Sequence, residues 1–152
     1  MPGYGIADAN SGKGLLPWSW ATKILSTAHN YFLSTVRSGG SPHVMPIWGI
    51  WLGDKFYFST GKKSVKARNL AANPKCVLCP ENAGEAVILE GVARKSRNAA
   101  ILKKFARAYL AKYDWDISTM NEPVYVIHPR VVFGLIEKGD NFTKTATRWK
   151  FR

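Results

Sequence analysis

FYFSTGKKSVKARNLAANP, residues 56–74, decides how the chain is read. Phe56 to Thr60 is an aromatic, β-branched run suited to a strand. Gly61-Lys62-Lys63 is a short basic loop. A helix is expected over Ser64 to Ala72, with Ser64 as its N-cap. Asn73-Pro74 ends it, because the residue before a proline avoids the helical region. A helix start presents unpaired N–H groups and the positive end of the backbone dipole. With Lys62, Lys63, Lys66 and Arg68 around it, this strand–loop–helix is a candidate phosphate seat. GKKS is not the end of a P-loop: a second lysine follows the first, and Phe56 stands where the earlier glycine would be.

Upstream, Trp18 to Ala28 reads as an amphipathic helix, capped by Ser19, with Trp20, Ile24 and Leu25 on its apolar stripe. Tyr31 to Arg37 is a strand, and Ser38 to Ser41 a glycine turn. His43 to Leu52, HVMPIWGIWL, reads as the next strand. Pro46 lacks a ladder donor and Gly49 marks a bulge or a close approach, so this strand is an edge or an opening in the sheet. Both of its faces are apolar and need cover by core, subunit or ligand. Gly53-Asp54 makes a hairpin into Lys55 to Thr60.

Downstream, strands are expected over Lys75 to Leu78 and Ala86 to Lys95. Asn98 to Tyr113 is the clearest helix, with Ile101, Leu102, Phe105, Ala108 and Tyr109 at helical spacing. Val124 to His128 and Val131 to Glu137 read as two strands broken by Pro129. Thr147 to Arg152 reads as a last short one. About seven strands and three helices, mostly hairpin-linked, exclude a doubly wound sheet and predict a mainly β (α+β) fold: a small antiparallel barrel with helices outside. Residues 17–152 form its one domain, and 1–16 are expected to be a mobile arm.

The chain has 152 residues and a net charge of +12, with 22 Lys+Arg against 10 Asp+Glu. That balance calls for an anionic partner, either nucleic acid or a polyanionic coenzyme. Six Trp, six Tyr and seven Phe suit stacked bases and stacked coenzyme rings alike. No run approaches the roughly 20 apolar residues of a membrane span, and the N-terminus lacks an apolar signal region, so a cytoplasmic location is expected. Cys76 and Cys79 would point to opposite faces of a strand, as reduced core cysteines. His29, His43 and His128 have no metal-ligand spacing and read as structural. With no evident nucleophile or paired carboxylates, any chemistry falls to a cofactor.

The residues also resemble a known family. Tyr31 to Leu52, Phe56 to Pro74, ILEGVAR (Ile88 to Arg94) and TRWKF (Thr147 to Phe151) are similar, in order, to the pyridoxamine 5'-phosphate oxidase-like split β-barrels that bind flavin or deazaflavin, most of all the branch using coenzyme F-420. The resemblance covers nearly everything after Leu16. It implies a split antiparallel β-barrel and a homodimer with cofactor at the interface. It implies that Ser64 and Lys66 hold the coenzyme phosphate, with Lys62, Lys63 and Arg68 beside them. Phe58, Ser59 and Thr60 would run along the ring and ribityl chain, Pro46, Ile47 and Trp48 would back the ring, and Trp149 would lie nearby. A true pyridoxamine phosphate oxidase carries an Arg and a Lys where this chain has HVMPIWGIW, so that activity is not expected.

The function expected is hydride transfer from FMN or F-420 to a small organic substrate. FMN and F-420 both remain open; doubled lysines and the +12 charge suit the longer anion of F-420. A non-catalytic coenzyme carrier would use the same site. A basic nucleic-acid-binding module is the alternative of a different class, and would show steep salt dependence.

Overall fold

The structure is a computed structural model and describes residues 9–152. It comprises α1 (Trp18–Thr27), β1 (Tyr31–Val36), β2 (Pro42–Ile47), β3 (Ile50–Leu52), β4 (Lys55–Ser59), α2 (Val65–Ala72), β5 (Lys75–Pro80), β6 (Glu85–Lys95), α3 (Ala99–Tyr113), β7 (Val124–Ile136) and β8 (Thr147–Lys150), with one turn of 3-10 helix at Gly139–Asn141. All strand pairs are antiparallel, in the order β2-β1-β5-β6-β7-β4-β3. β8 pairs with the second half of β7, beyond the half that β4 occupies. The two ends of this path, β2 and β3, are consecutive in the chain and separated only by Trp48-Gly49. A sheet whose opposite ends are joined by two residues must curl, and the result is the expected split barrel with three flanking helices.

The expected strand His43 to Leu52 is therefore two strands on different neighbours, β2 on β1 and β3 on β4. Gly49 permits the corner. A methyl there would collide with the Phe56 ring and lie 2.7 Å from the Tyr57 carbonyl oxygen. The expected break at Pro129 is absent. Gly91 opposes Pro129 and Glu90 opposes Val131, so Arg130 is the extra residue of a bulge and β7 continues through it. A side chain at Gly91 would meet the His128 carbonyl at 2.6 Å, which is why the strand partner there is glycine. Ser19 does not cap α1; Pro17 holds that position, with no side-chain cap.

Alternation sorts two cores. Tyr31, Leu33, Phe56, Phe58, Leu78, Leu89, Ile127 and Val132 fill the barrel, closed by Ala21 and Leu25 of α1 and by Ala67 and Leu70 of α2. Outside, Ile50, Tyr57 and Val126 pack against Phe105, Tyr109 and Tyr113 of α3. Cys76 is buried and Cys79 half-buried on the opposite face, and both are free thiols. Residues 1–8 of the expected arm lie outside the described residues. Asn10 to Leu16 are tied down: the Asn10 amide exchanges hydrogen bonds of 2.8 and 3.0 Å with the Arg148 backbone, and Leu16 N–H donates to Thr147 Oγ1 at 2.9 Å.

Gly49→Ala is expected to lower stability by about 1–3 kcal/mol through overpacking, seen in thermal denaturation as a fall of melting temperature on the order of 5 °C.

Candidate functional site

α2 begins where the sequence placed it. Ser64 is extended, and its Oγ accepts the Ala67 N–H at 3.1 Å, satisfying one donor of the first turn. Ser64 N–H donates to Gly61 O at 3.0 Å, closing the basic loop tightly onto the helix. The amides of Val65 and Lys66, first in the helix, have no helical acceptor. Thr60 Oγ1 lies 3.1 Å from Ser64 Oγ, so two hydroxyls stand together at this end. The Arg68 guanidinium folds back to donate to Lys63 O at 2.8 Å, which keeps it over the same loop.

Lys62, Lys63, Lys66 and Arg68 form no ion pair among the described residues. The one carboxylate at the loop, Glu122, accepts the Lys62 backbone N–H at 2.7 Å. Lys66 is half-buried, and burial pushes its pKa below the usual lysine value. An ammonium partly removed from water without a counter-charge is stabilised by any anion that arrives. Hydroxyls, free helix amides and cations together make a donor set that fits a phosphate.

The remaining sequence-predicted residues divide. Ser59 is half-buried, and its hydroxyl donates to Pro123 O at 3.2 Å. Phe58 is fully buried inside the barrel and stacks on Tyr125 at 5.4 Å, so its ring belongs to the core and offers nothing to a ligand. Ile47 likewise points into the core, while Pro46 and Trp48 are exposed. The expected three-residue apolar wall is thus two outward residues with a core residue between them. The Trp48-Gly49 corner lies against Tyr57. Ser59 is two residues further along β4, about 7 Å, so wall and loop share a line. Trp149 is not brought to them. It opposes Val132 on β7, whereas Ser59 opposes Val124, roughly 26 Å back along that strand. Its indole packs on Trp18 at 5.3 Å.

Sequence reasoning missed what fixes these parts. Asn69, buried in α2, donates to Thr35 Oγ1 at 2.9 Å and binds the helix to β1. The residue was visible in the RNL run, but only its charged neighbours signalled chemistry. Lys112 and Tyr113, at the end of α3, hold the corner. Gly49 N–H donates to Tyr113 Oη at 3.0 Å, and that hydroxyl lies 2.9 Å from both His29 O and Gly49 O. Lys112 Nζ donates to Tyr31 Oη at 2.9 Å and to Ser26 O and Gly49 O at 3.3 Å. Burial lowers Lys112 to about 8, offset in part by Glu81, and raises Tyr113 to about 12.

A profile described as pyridoxamine 5'-phosphate oxidase matches residues 21–135. No curated protein sequence matches significantly. Among solved structures, a heme-binding protein of Mycobacterium smegmatis is 19% identical over 86% of this chain, with a TM-score of 0.70; the match spans 56% of that longer protein. A conserved hypothetical protein of Mycobacterium tuberculosis is 18% identical over 87% of this chain and 91% of its own, with a TM-score of 0.73. An F420 reductase is 22% identical over 77% of this chain and 98% of its own, with a TM-score of 0.58. At these identities the similarity shows the fold.

Lys112 gives this corner a pH signature. Unfolded, it titrates near 10.5; folded, near 8. Between those values the unfolded chain holds more protons, so this group makes stability rise with pH across that window. Tyr31, Tyr109 and Tyr113, all raised by burial, stay protonated there, and Glu81 stays ionised. Cys76 and Cys79, raised by burial from an unfolded value near 9.0, act in the opposite sense in the same window. The melting temperature of the parent protein minus that of Lys112→Met is therefore expected to rise from pH 8 to 10.

Proposed function

The chain belongs to the pyridoxamine 5'-phosphate oxidase family, and from that premise we propose that it is an oxidoreductase binding FMN or coenzyme F-420 by its phosphate at the start of α2. The observation that carries this reading is the set of un-neutralised cations around a capped helix start, with Lys66 half-buried among them. Ser64 and Thr60 would offer hydroxyls, and the Val65 and Lys66 amides their N–H groups. Lys66 would give the charge-assisted contact, with Lys62, Lys63 and Arg68 supplying long-range attraction. The ring would lie toward Pro46, beside the open face of Trp48, with Ser59 and Thr60 flanking the chain between. The coenzyme, when bound, supplies hydride chemistry. The protein's own part is to position it, exclude water and compensate charge. A carrier would use the same contacts without turnover.

The partner proposed is a second copy of the chain, in the cytoplasm, with coenzyme at the interface. Support comes from the outer face of the sheet. Phe32, Val44 and Ile88 on that face are 38–56% exposed, and Phe32, paired with Pro46, lies diagonally across from Val44, which pairs with Ser34. Both faces of β2 up to Pro46 are at least partly open, which fits the two-faced apolar character read from its sequence. Among the described residues no helix is long and apolar enough to cross a membrane.

Absorbance titrations with FMN and with F-420 test the coenzyme: saturable binding of one is expected, and of neither would refute the reading. Lys66→Ala should weaken that binding by about 1.5–3 kcal/mol, or about ten- to a hundredfold. Val44→Lys should convert the dimer to a folded monomer, measured by light scattering on a sizing column with circular dichroism as the check on fold.

A further inference from the structure

Between the Trp48 corner and α3 lies a groove of about 390 Å³ lined by Asn30, Pro46, Ile47, Trp48 and Tyr109. Its size is that of a small-molecule pocket. Of the polar side chains that line it, only that of Tyr109 makes no hydrogen bond among the described residues. The Trp48 indole N–H donates to Asn30 Oδ1 at 3.1 Å, and Asn30 Nδ2 donates to Glu81 Oε2 at 2.7 Å. Glu81 also accepts the His29 and Asn30 backbone N–H groups. The Lys112 ammonium is spent on three oxygens behind the corner. No lining residue carries a charge, and the nearby charges are satisfied elsewhere.

Trp48 is set as a stacking plate. One face lies parallel to Tyr113, 4.7 Å between centroids and 6° between planes, and its rotation is fixed by the Asn30 bond. The residue remains 37% exposed, so the other face is open. Tyr109 stands at 56° to it, 6.4 Å away, as a second wall. The Tyr109 hydroxyl makes no hydrogen bond among the described residues and, in a residue 8% exposed, is itself reached by solvent. Burial raises its pKa, so it remains a donor at neutral pH. A flat apolar plate plus one unspent donor defines a ligand.

We infer that this groove binds a neutral, planar aromatic ring carrying a hydrogen-bond-accepting oxygen, with the ring on the open face of Trp48 and the oxygen at the Tyr109 hydroxyl. Its use as the substrate side of the coenzyme site rests on the function proposed above; the binding itself rests on the groove.

The test is a titration of coenzyme-free protein with 2-acetonaphthone, followed by the indole N–H signals in a proton–nitrogen NMR spectrum, with Trp48→Leu to assign its signal. A saturable shift of the Trp48 signal is expected, several-fold weaker binding by the saturated ketone 2-acetyldecalin, and roughly fivefold weaker binding by Tyr109→Phe. The melting temperature of Tyr109→Phe verifies its fold. Absence of saturation, equal binding of the saturated ketone, or unchanged affinity in Tyr109→Phe overturns the inference. Parallel titration with FMN and F-420 separates the two claims: ketone binding without coenzyme binding keeps the groove and removes the coenzyme, and the reverse removes only the groove.

Discussion

The backbone of Gly49, held between β4 and the end of α3, is the contact on which the architecture depends. Where a chain leaves one sheet edge and joins the opposite one, an N–H and a C=O lose their ladder partners, and burying them unpaired costs about 1–3 kcal/mol each. Tyr113 and Lys112 supply the missing partners, at 3.0 Å to the N–H and at 2.9 and 3.3 Å to the C=O. Because Gly49 has no side chain, it fits against Phe56 and Tyr57. Without this corner β2 and β3 would be one straight strand, and the sheet would have no reason to curl.

The same corner sets the candidate surfaces. It turns Trp48 outward onto Tyr113 and leaves β2 as an edge with β1 alone beside it. It also brings β4 past the turn, so that Ser59 and Thr60 deliver the chain directly into the basic loop and α2. Asn69 then fixes α2 to Thr35 on β1. The basic start of α2 and the aromatic plate are thus attached to one rigid frame, as the proposed coenzyme and ring-ligand sites together require.

Much of this was legible in the sequence because local rules agreed with the fold. Ser64 reads as a cap and is one; Asn73-Pro74 reads as a stop and is one; the 3.6-residue period of α3 picks out Phe105 and Tyr109. Two of the failures depended on a distant partner. Whether Gly49 is a bulge or a corner is decided by α3, over 60 residues on. Pro129 reads as a break, yet a bulge at Arg130 opposite Gly91 absorbs it. Phe58 is placed beside the coenzyme ring by the family resemblance alone, and the local strand alternation that buries the Phe56 ring buries its ring too. Asn69, Lys112 and Tyr113 carried no local signal, because their work is to satisfy groups elsewhere in the chain.

The central claim is that the start of α2 seats the phosphate of a bound coenzyme. Backbone amide shifts mapped by NMR during addition of FMN or F-420 address it residue by residue. The account predicts that the largest changes fall on Thr60 and on Ser64, Val65 and Lys66, saturating with the coenzyme. Shifts scattered over the lysine-bearing surface, with these four residues unmoved, would contradict it.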